Sequence, residues 1–373
     1  MRITLFIGTL GAGGAERALI VLAEGLQKHG HDVTVLTWIN QEHDFYHVPE
    51  GVKHVRAEIP EDVVSTRWYN AVGIIRRLFA LRKSIKTTQP EVVISFLDGN
   101  NEMFLLASIK ERYIKILSCQ IDIAEHDHFN SRWDKLRELI YKWADQIVFL
   151  DNEQAERAHQ QFPAWNCVGI PNPVVDVSTI PDKQAKEIID KLKKFPVRLV
   201  AMGRLANQKG FDLLLEAFNK VVQHFPQAGL VILGEGPLRD DLQGQIKFLG
   251  LTDHVLMPGQ TSGPHAVIAA CDIFVFSSRY EGQGLALVEA MACGVPAVSF
   301  DCPSGPAYII QDQVDGILVP PEDIDSLAEA VIMLLNDEKK RLEFALAAKK
   351  VRDRFSTDRI CTRWEYLFHQ PES

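Results

Sequence analysis

VRLVAMGRLANQKGFDLLLEAFNKVVQHF, residues 197–225, holds a strand, a loop and a helix in succession. Val197 to Met202 is a short apolar run that reads as a buried strand. A loop with a glycine at each end, Gly203 to Gly210, leads into a helical pattern from Phe211 to Phe225. The same rhythm continues downstream: strands at Gly229 to Leu233, Val255 to Met257, Ile273 to Phe276 and Ala297 to Phe300, with helices at Leu238 to Leu249 and Asp325 to Leu335. Upstream, strands at Ile3 to Ile7, Asp32 to Thr37, Glu91 to Phe96, Ile114 to Cys119 and Gln146 to Leu150 accompany a helix at Ala15 to His29. Strands that alternate with helices in this way build a parallel, doubly wound α/β sheet.

The rhythm breaks once. Pro163, Pro171, Pro173, Pro181 and Pro196 fall close together around a short charged helix, Lys183 to Lys194, which predicts a linker there. Two Rossmann-like domains in tandem follow, residues 1–175 and 176–355, with the C-terminal helix 356–373 expected to pack back on the first. Open parallel sheets bind ligands at the carboxyl ends of their strands, so two such sheets face to face predict a ligand cleft between them.

Bulk properties narrow the partners. The 373 residues carry a net charge of −9, which argues against broad contact with nucleic acid. Cysteines 119, 167, 271, 293, 302 and 361 form no C-x-x-C pair, so they read as reduced thiols rather than a disulfide framework or a zinc site. No apolar run approaches the ~18 residues of a membrane span, and MRITLFIGTLGAGG at the N-terminus reads as a buried strand and glycine loop rather than a signal peptide. A cytoplasmic protein is the expectation.

Three loops carry the chemistry. GAGGAER, residues 11–17, follows the first strand; its glycines let backbone approach an anion at the start of a helix. It is neither a dinucleotide fingerprint, which would need glycine where Glu16 stands, nor a P-loop, which would end in Gly-Lys-Ser/Thr. A simple tight turn would also account for it. GRLANQKG, residues 203–210, places Arg204 and Lys209 on one loop, where two cations suit a diphosphate; two solvated charges are the plainer alternative. EGQGLALVE, residues 281–289, sets Glu281 on a loop and Glu289 within the first turn or so of a helix that ends at Gly294-Val295-Pro296. The helix N-terminus between them suits a phosphate, and carboxylates accept hydrogen bonds from pairs of hydroxyls. A glutamate stabilised by the helix dipole would explain Glu289 but not Glu281 or the two glycines.

Taken together, GRLANQKGFDLLLEAF, LGEGPLRDDL, EGQGLALVEAMACGVPAV and DGILVPPEDIDSLAEAV resemble the retaining glycosyltransferases of the GT-B architecture, specifically the GT4 family with its E-x7-E signature. The likeness covers most of the chain. It implies that Arg204 and Lys209 bind the diphosphate of a nucleotide-sugar donor and stabilise it as it leaves. It further implies that Glu281 contacts the transferred sugar and Glu289 the ribose. Gly203, Gly282, Gln283, Gly284 and Leu285 would line the donor site, and Gly13 and Gly14 would let the first domain approach the phosphates. The family is generally metal-independent, so no metal or other cofactor is expected; Asp323-Ile324-Asp325, the one D-x-D, reads as a helix cap, and His126-Asp127-His128 as surface residues. Where the family often carries a sugar-contacting histidine this chain has Gln120, which hydrogen-bonds but does not protonate, with Asp122 or His126 nearby.

For the acceptor, residues 64–90 contain Arg67, Arg76, Arg77, Arg82, Lys83 and Lys86 and no acids, with Ile74, Leu78, Leu81 and Ile85 at helical spacing. This basic amphipathic helix, 69–86, suits an anionic membrane surface or a lipid pyrophosphate. Equally, its apolar stripe packs on the domain and its charges are solvated. GGAERAL, the basic helix and the FLDGNN turn resemble the branch of the family that extends lipid-linked oligosaccharides, which implies an acceptor site that includes Asp98, Asn100, Asp122, Arg76 and Arg77. The expected activity is transfer of a hexose or N-acetylhexosamine, from a UDP-linked donor, to a glycan or lipid-linked acceptor. A nucleotide-sugar epimerase of the same architecture and a non-catalytic nucleotide-sugar binding protein are the alternatives, while the missing fingerprint disfavours a dehydrogenase.

Overall fold

The computed structural model describes residues 1–11, 13–38, 44–57, 71–120, 132–174 and 177–369. It resolves into two compact units, one of Met1–Pro173 with Phe355–Ser373 and one of Val174–Arg354.

In the first unit, seven parallel strands, β1 (Arg2–Ile7), β2 (Asp32–Thr37), β3 (Lys53–Arg56), β4 (Val92–Phe96), β5 (Ile114–Ser118), β6 (Gln146–Phe149) and β7 (Cys167–Gly169), lie in the order β3-β2-β1-β4-β5-β6-β7. Side-chain alternation along β1 divides the core. Ile3, Leu5 and Ile7 face the cluster that holds the helix Gly14–Lys28, whereas Phe6 faces the cluster that holds Phe104 and Tyr141. The C-terminal helix Thr357–Leu367 belongs to the first of these clusters through Ile360, Cys361, Trp364 and Leu367. It crosses the helix Gly14–Lys28 so closely that a Cβ on Gly25 would meet Cys361 Sγ at 2.4 Å. Arg363 adds a hydrogen bond to Gly169 O at the end of β7.

In the second unit, six parallel strands, β8 (Val197–Met202), β9 (Ala228–Leu233), β10 (Val255–Gly259), β11 (Ile273–Phe276), β12 (Ala297–Phe300) and β13 (Gly316–Val319), follow the order β10-β9-β8-β11-β12-β13. Leu199 and Ala201 of β8 join Leu214, Leu215 and Phe218 of the helix Phe211–His224 in one core. Both sheets are doubly wound, and strand order reverses between β1 and β4 in one and between β8 and β11 in the other. Those reversals open the crevices in which such sheets hold ligands.

Two expectations need correction. The proline-rich stretch 163–196 is not one linker: β7 in it pairs with β6 of the first sheet, the helix Lys183–Leu192 lies in the second unit, and the chain passes between units at Pro173 and Val174. FLDGNN is not a simple turn. Leu97 takes a left-handed backbone, φ 73°, and a helix, Asp98–Ala107, starts immediately after it. A branched side chain held at positive φ is a strained geometry. Strands β3, β7 and β13 are not among those expected from the sequence; β3 is polar and only part-buried, and β7 has three residues.

Candidate functional site

The reversal between β8 and β11 brings together two of the three glycine loops. After β8 runs Gly203 to Gly210; after β11 runs Ser277 to Gly284. They are stitched by backbone: Arg279 N donates to Gln208 O at 2.8 Å, Gln208 Nε2 donates to Tyr280 O at 3.0 Å, and Ser277 Oγ donates to Lys209 O at 2.9 Å. Gly210 sits where they touch. Its φ is +59°, and a Cβ there would lie 2.0 Å from Ser277 O, so no other residue fits.

Across this seam the Lys209 Nζ donates to Glu281 Oε1 at 2.5 Å, and Ser278 Oγ donates to the same oxygen at 2.6 Å. The side chains of Lys209 and Glu281 are 18% and 6% exposed. A pair so far from water is much less screened than a surface ion pair. An ammonium has three N–H donors, so Lys209 retains capacity for a second anion beside Glu281. Arg204 is exposed on the same loop, and its guanidinium has no partner among the described residues. Beyond Glu281, Gly284 adopts φ 88° and opens the helix Leu285–Ala292, whose first N–H groups lack intrahelical carbonyls. Gln283 between them is buried.

Glu289 is the fifth residue of that helix, just past its first turn, as the sequence reading places it. It is buried, and His265 Nε2 lies 3.1 Å from its Oε2. Arg279 is a second residue whose part was not legible in the motif. Its guanidinium binds both oxygens of Asp212, at 2.9 and 2.6 Å, as well as Asn207 O at 2.8 Å and Glu322 at 3.1 Å. It thereby ties the β11 loop to the start of the helix after the β8 loop, and the hydrogen bonds from Arg279 hold the Asp212 carboxyl below its ordinary pKa. Sequence spacing offers no signal for His265–Glu289 or Arg279–Asp212, because each pair joins distant loops.

The residues expected to serve the acceptor lie in the first unit, as do Gly13 and Gly14 of the expected donor set. Gly13 caps the helix Gly14–Lys28 without strain, φ −91°, and the Glu16 carboxylate folds against it. Burial raises the Glu16 pKa. Gln120, just past β5, exchanges amide hydrogen bonds with Asn172 at 2.8 and 3.3 Å and donates to Ser118 Oγ at 2.8 Å. Asn100 is a brace: it accepts from Trp38 Nε1 at 3.1 Å and donates to Phe96 O at 2.8 Å. Asp98 faces Arg137 at 3.7 Å and Tyr141 Oη at 3.4 Å. Arg137 Nε also donates to the buried Glu102 at 2.7 Å; burial nevertheless outweighs that bond and pushes the Glu102 carboxyl up to about 7. Arg76 is exposed and Arg77 half-buried on the helix Ala71–Thr88, alongside exposed Ile75 and Phe79. Arg82 of the same helix is engaged by Ala107 O, Ile109 O and Glu111. Asp122, His126, Asp127, His128 and Arg67 lie outside the described residues. Asp323 caps the helix Ile324–Asn336 through Ser326 N at 3.0 Å. Among the described residues no cluster of three or more His, Cys, Asp or Glu is placed to hold a metal, and no helix is long and apolar enough to cross a membrane.

Two doubly wound units, one with paired charges at its switch point, are the architecture of a GT-B enzyme, and solved structures of such enzymes superpose on the whole chain. Sucrose-phosphate synthase from Thermosynechococcus elongatus matches with a TM-score of 0.81 at 19% identity over 99% of this chain and 98% of its own. The HepE protein of Anabaena, in complex with UDP and glucose, matches at 0.76 and 21% over 98% of each. At these identities the likeness is one of fold. Two families match in succession: Glycosyltransferase Family 4 over residues 12–176 and Glycosyl transferases group 1 over residues 182–351. The chain belongs to the GT4-type glycosyltransferases of GT-B architecture. Among its relatives is an uncharacterized glycosyltransferase of Haemophilus influenzae, 24% identical over 98% of this chain and 99% of the relative. Another is the Campylobacter jejuni N-acetylgalactosamine-N,N'-diacetylbacillosaminyl-diphospho-undecaprenol 4-alpha-N-acetylgalactosaminyltransferase, 28% identical over 93% and 94%.

Proposed function

We propose that this glycosyltransferase moves a hexose or N-acetylhexosamine from a UDP-sugar, with retention of configuration, to a glycan or lipid-linked acceptor. The observation that carries this reading is the pair of half-buried Lys209, on the loop that also carries the exposed Arg204, and buried Glu281 at the β8/β11 switch point. There the sugar–diphosphate bond breaks, the acceptor hydroxyl oxygen bonds to the anomeric carbon on the same face, and the diphosphate leaves with the bonding electrons while its departing oxygen takes the hydroxyl proton. Arg204, the remaining donors of Lys209 and the backbone of Gly203 and of Gly282 to Leu285 offset that charge without a metal ion. Glu281 orients the transferred sugar and Glu289 the ribose. Gln120, Asp98 and Asn100 serve the acceptor, with Arg76 and Arg77 nearer a lipid diphosphate. The undecaprenol-linked acceptor in the name of the Campylobacter jejuni relative supports this assignment.

Replacement of Glu281 or Lys209 by alanine then removes transfer by about a hundredfold or more while circular dichroism stays native. Full activity in both variants overturns the reading. The exposed Ile75 and Phe79 beside Arg76, Lys83 and Lys86 support contact of a cytoplasmic enzyme with the anionic inner face of the plasma membrane. Co-sedimentation with vesicles that contain phosphatidylglycerol, weakened in Phe79→Ser, tests it; equal pelleting of both proteins with neutral vesicles refutes it.

A further inference from the structure

His265 has no place among the loops that define the donor site, yet it touches their second carboxylate. It lies in the helix Pro264–Ala269, which packs against the helix Leu285–Ala292. His265 is 7% exposed, and the side chain of Glu289 is 3% exposed. Their 3.1 Å contact joins Nε2 to Oε2. A carboxylate only accepts hydrogen bonds, so in the arrangement in which this contact is a hydrogen bond to a carboxylate, Nε2–H is the donor.

The residues next to the pair along both helices are apolar and buried: Leu287, Val288, Ala290 and Met291 on one, Ala266, Val267 and Ile268 on the other. Burial of two polar groups in such surroundings is costly unless they are paired, and well-packed apolar residues would serve the fold at least as well. The pair therefore has a use beyond packing. A carboxylate that is to receive two vicinal hydroxyls must hold its plane. It has about four lone-pair sites, and a fixed N–H on one of them restricts rotation of the group.

We propose that His265 is a positioning residue: it sets the Glu289 carboxylate so that the carboxylate selects the vicinal ribose hydroxyls of a nucleoside diphosphate. This rests on the reading of Glu289 as the ribose-binding group. His265 acts through Glu289 and touches no reacting atom.

Calorimetric titration with UDP and with 2′-deoxy-UDP tests it on the whole protein, in the wild type, His265→Ala, His265→Gln and Glu289→Gln. The wild type binds UDP more tightly than 2′-deoxy-UDP. His265→Ala weakens UDP binding about tenfold and leaves 2′-deoxy-UDP nearly unchanged, so the preference for ribose collapses. His265→Gln, which retains an N–H donor, recovers most of that preference. A purely structural role would weaken both nucleotides equally, and that outcome overturns the inference. Should His265→Ala not fold, His265→Gln decides alone: a ribose preference lost as fully as in Glu289→Gln overturns it. If Glu289→Gln collapses the preference but the histidine variants leave it intact, only the role of His265 fails. If the wild type or Glu289→Gln shows that Glu289 does not discriminate ribose, the reading of Glu289 fails and the inference with it.

Discussion

The two switch points of this molecule are built from similar materials and hold them differently. In the second unit, the loops after β8 and β11 are locked by backbone. Gly210 lies against Ser277 O, Arg279 binds Asp212 from the far side, and a lysine–glutamate pair closes the seam. In the first unit, the loop after β1 is held by backbone at its start, where Leu10 O accepts from Phe45 N at 2.8 Å, but its glycines meet only side chains: Glu16 lies against Gly13, and a Cβ on Gly11 would meet nothing nearer than Thr9 Oγ1 at 3.7 Å. Past β4 Asp98 faces Arg137, and past β5 Gln120 and Asn172 pair as neutral amides. A rigid, charged site suits a diphosphate whose geometry does not vary.

The sharpest way to break this contrast is a single methyl group on each glycine. Gly210→Ala forces an L-residue into the left-handed region and its Cβ into a carbonyl, and is expected to cost about 3 kcal/mol in urea unfolding. Gly13→Ala displaces only the end of a flexible glutamate at an ordinary φ, and is expected to cost under about 1 kcal/mol. Equal costs would mean that the two loops are equally rigid.

A second test reads the buried charge that the first unit does contain. Glu102 is held up at about 7 against an ordinary value of 4.5. A carboxyl whose folded pKa lies above its unfolded one is protonated preferentially by the fold. Its stabilising contribution is therefore present below about 4.5 and is lost as pH rises to about 7. Relative to Glu102→Gln, wild-type stability should fall by about 1–3 kcal/mol across that window. Parallel pH curves for the two proteins would show that Arg137 compensates the charge fully.

The smallest effect sharpens the acceptor side. Gln120→Ala removes one half of the amide pair with Asn172 and is expected to raise the acceptor KM about tenfold, with the donor KM unchanged. A rise in donor KM instead would move Gln120 to the donor side.

Chemistry and placement were legible to different degrees. The strand–loop–helix rhythm, the doubly wound class and the three glycine loops stood in the sequence, because hydrophobic period and glycine placement are local properties. Glu281, Lys209 and Arg204 stood there too, since a loop after a strand of such a sheet lies at its ligand-binding end. What lies 24 to 72 residues apart did not: the contacts of Lys209 with Glu281, Arg279 with Asp212 and His265 with Glu289 exist only because β8 and β11 pair and their helices pack. The passage between units also needed the structure, because prolines mark breaks in rhythm without saying which sheet takes the strand that follows. Local pattern determined which residue types stand at the ends of the strands. Only sheet order decided which of them meet, since strand pairing is set by burial over the whole unit and not by any one segment.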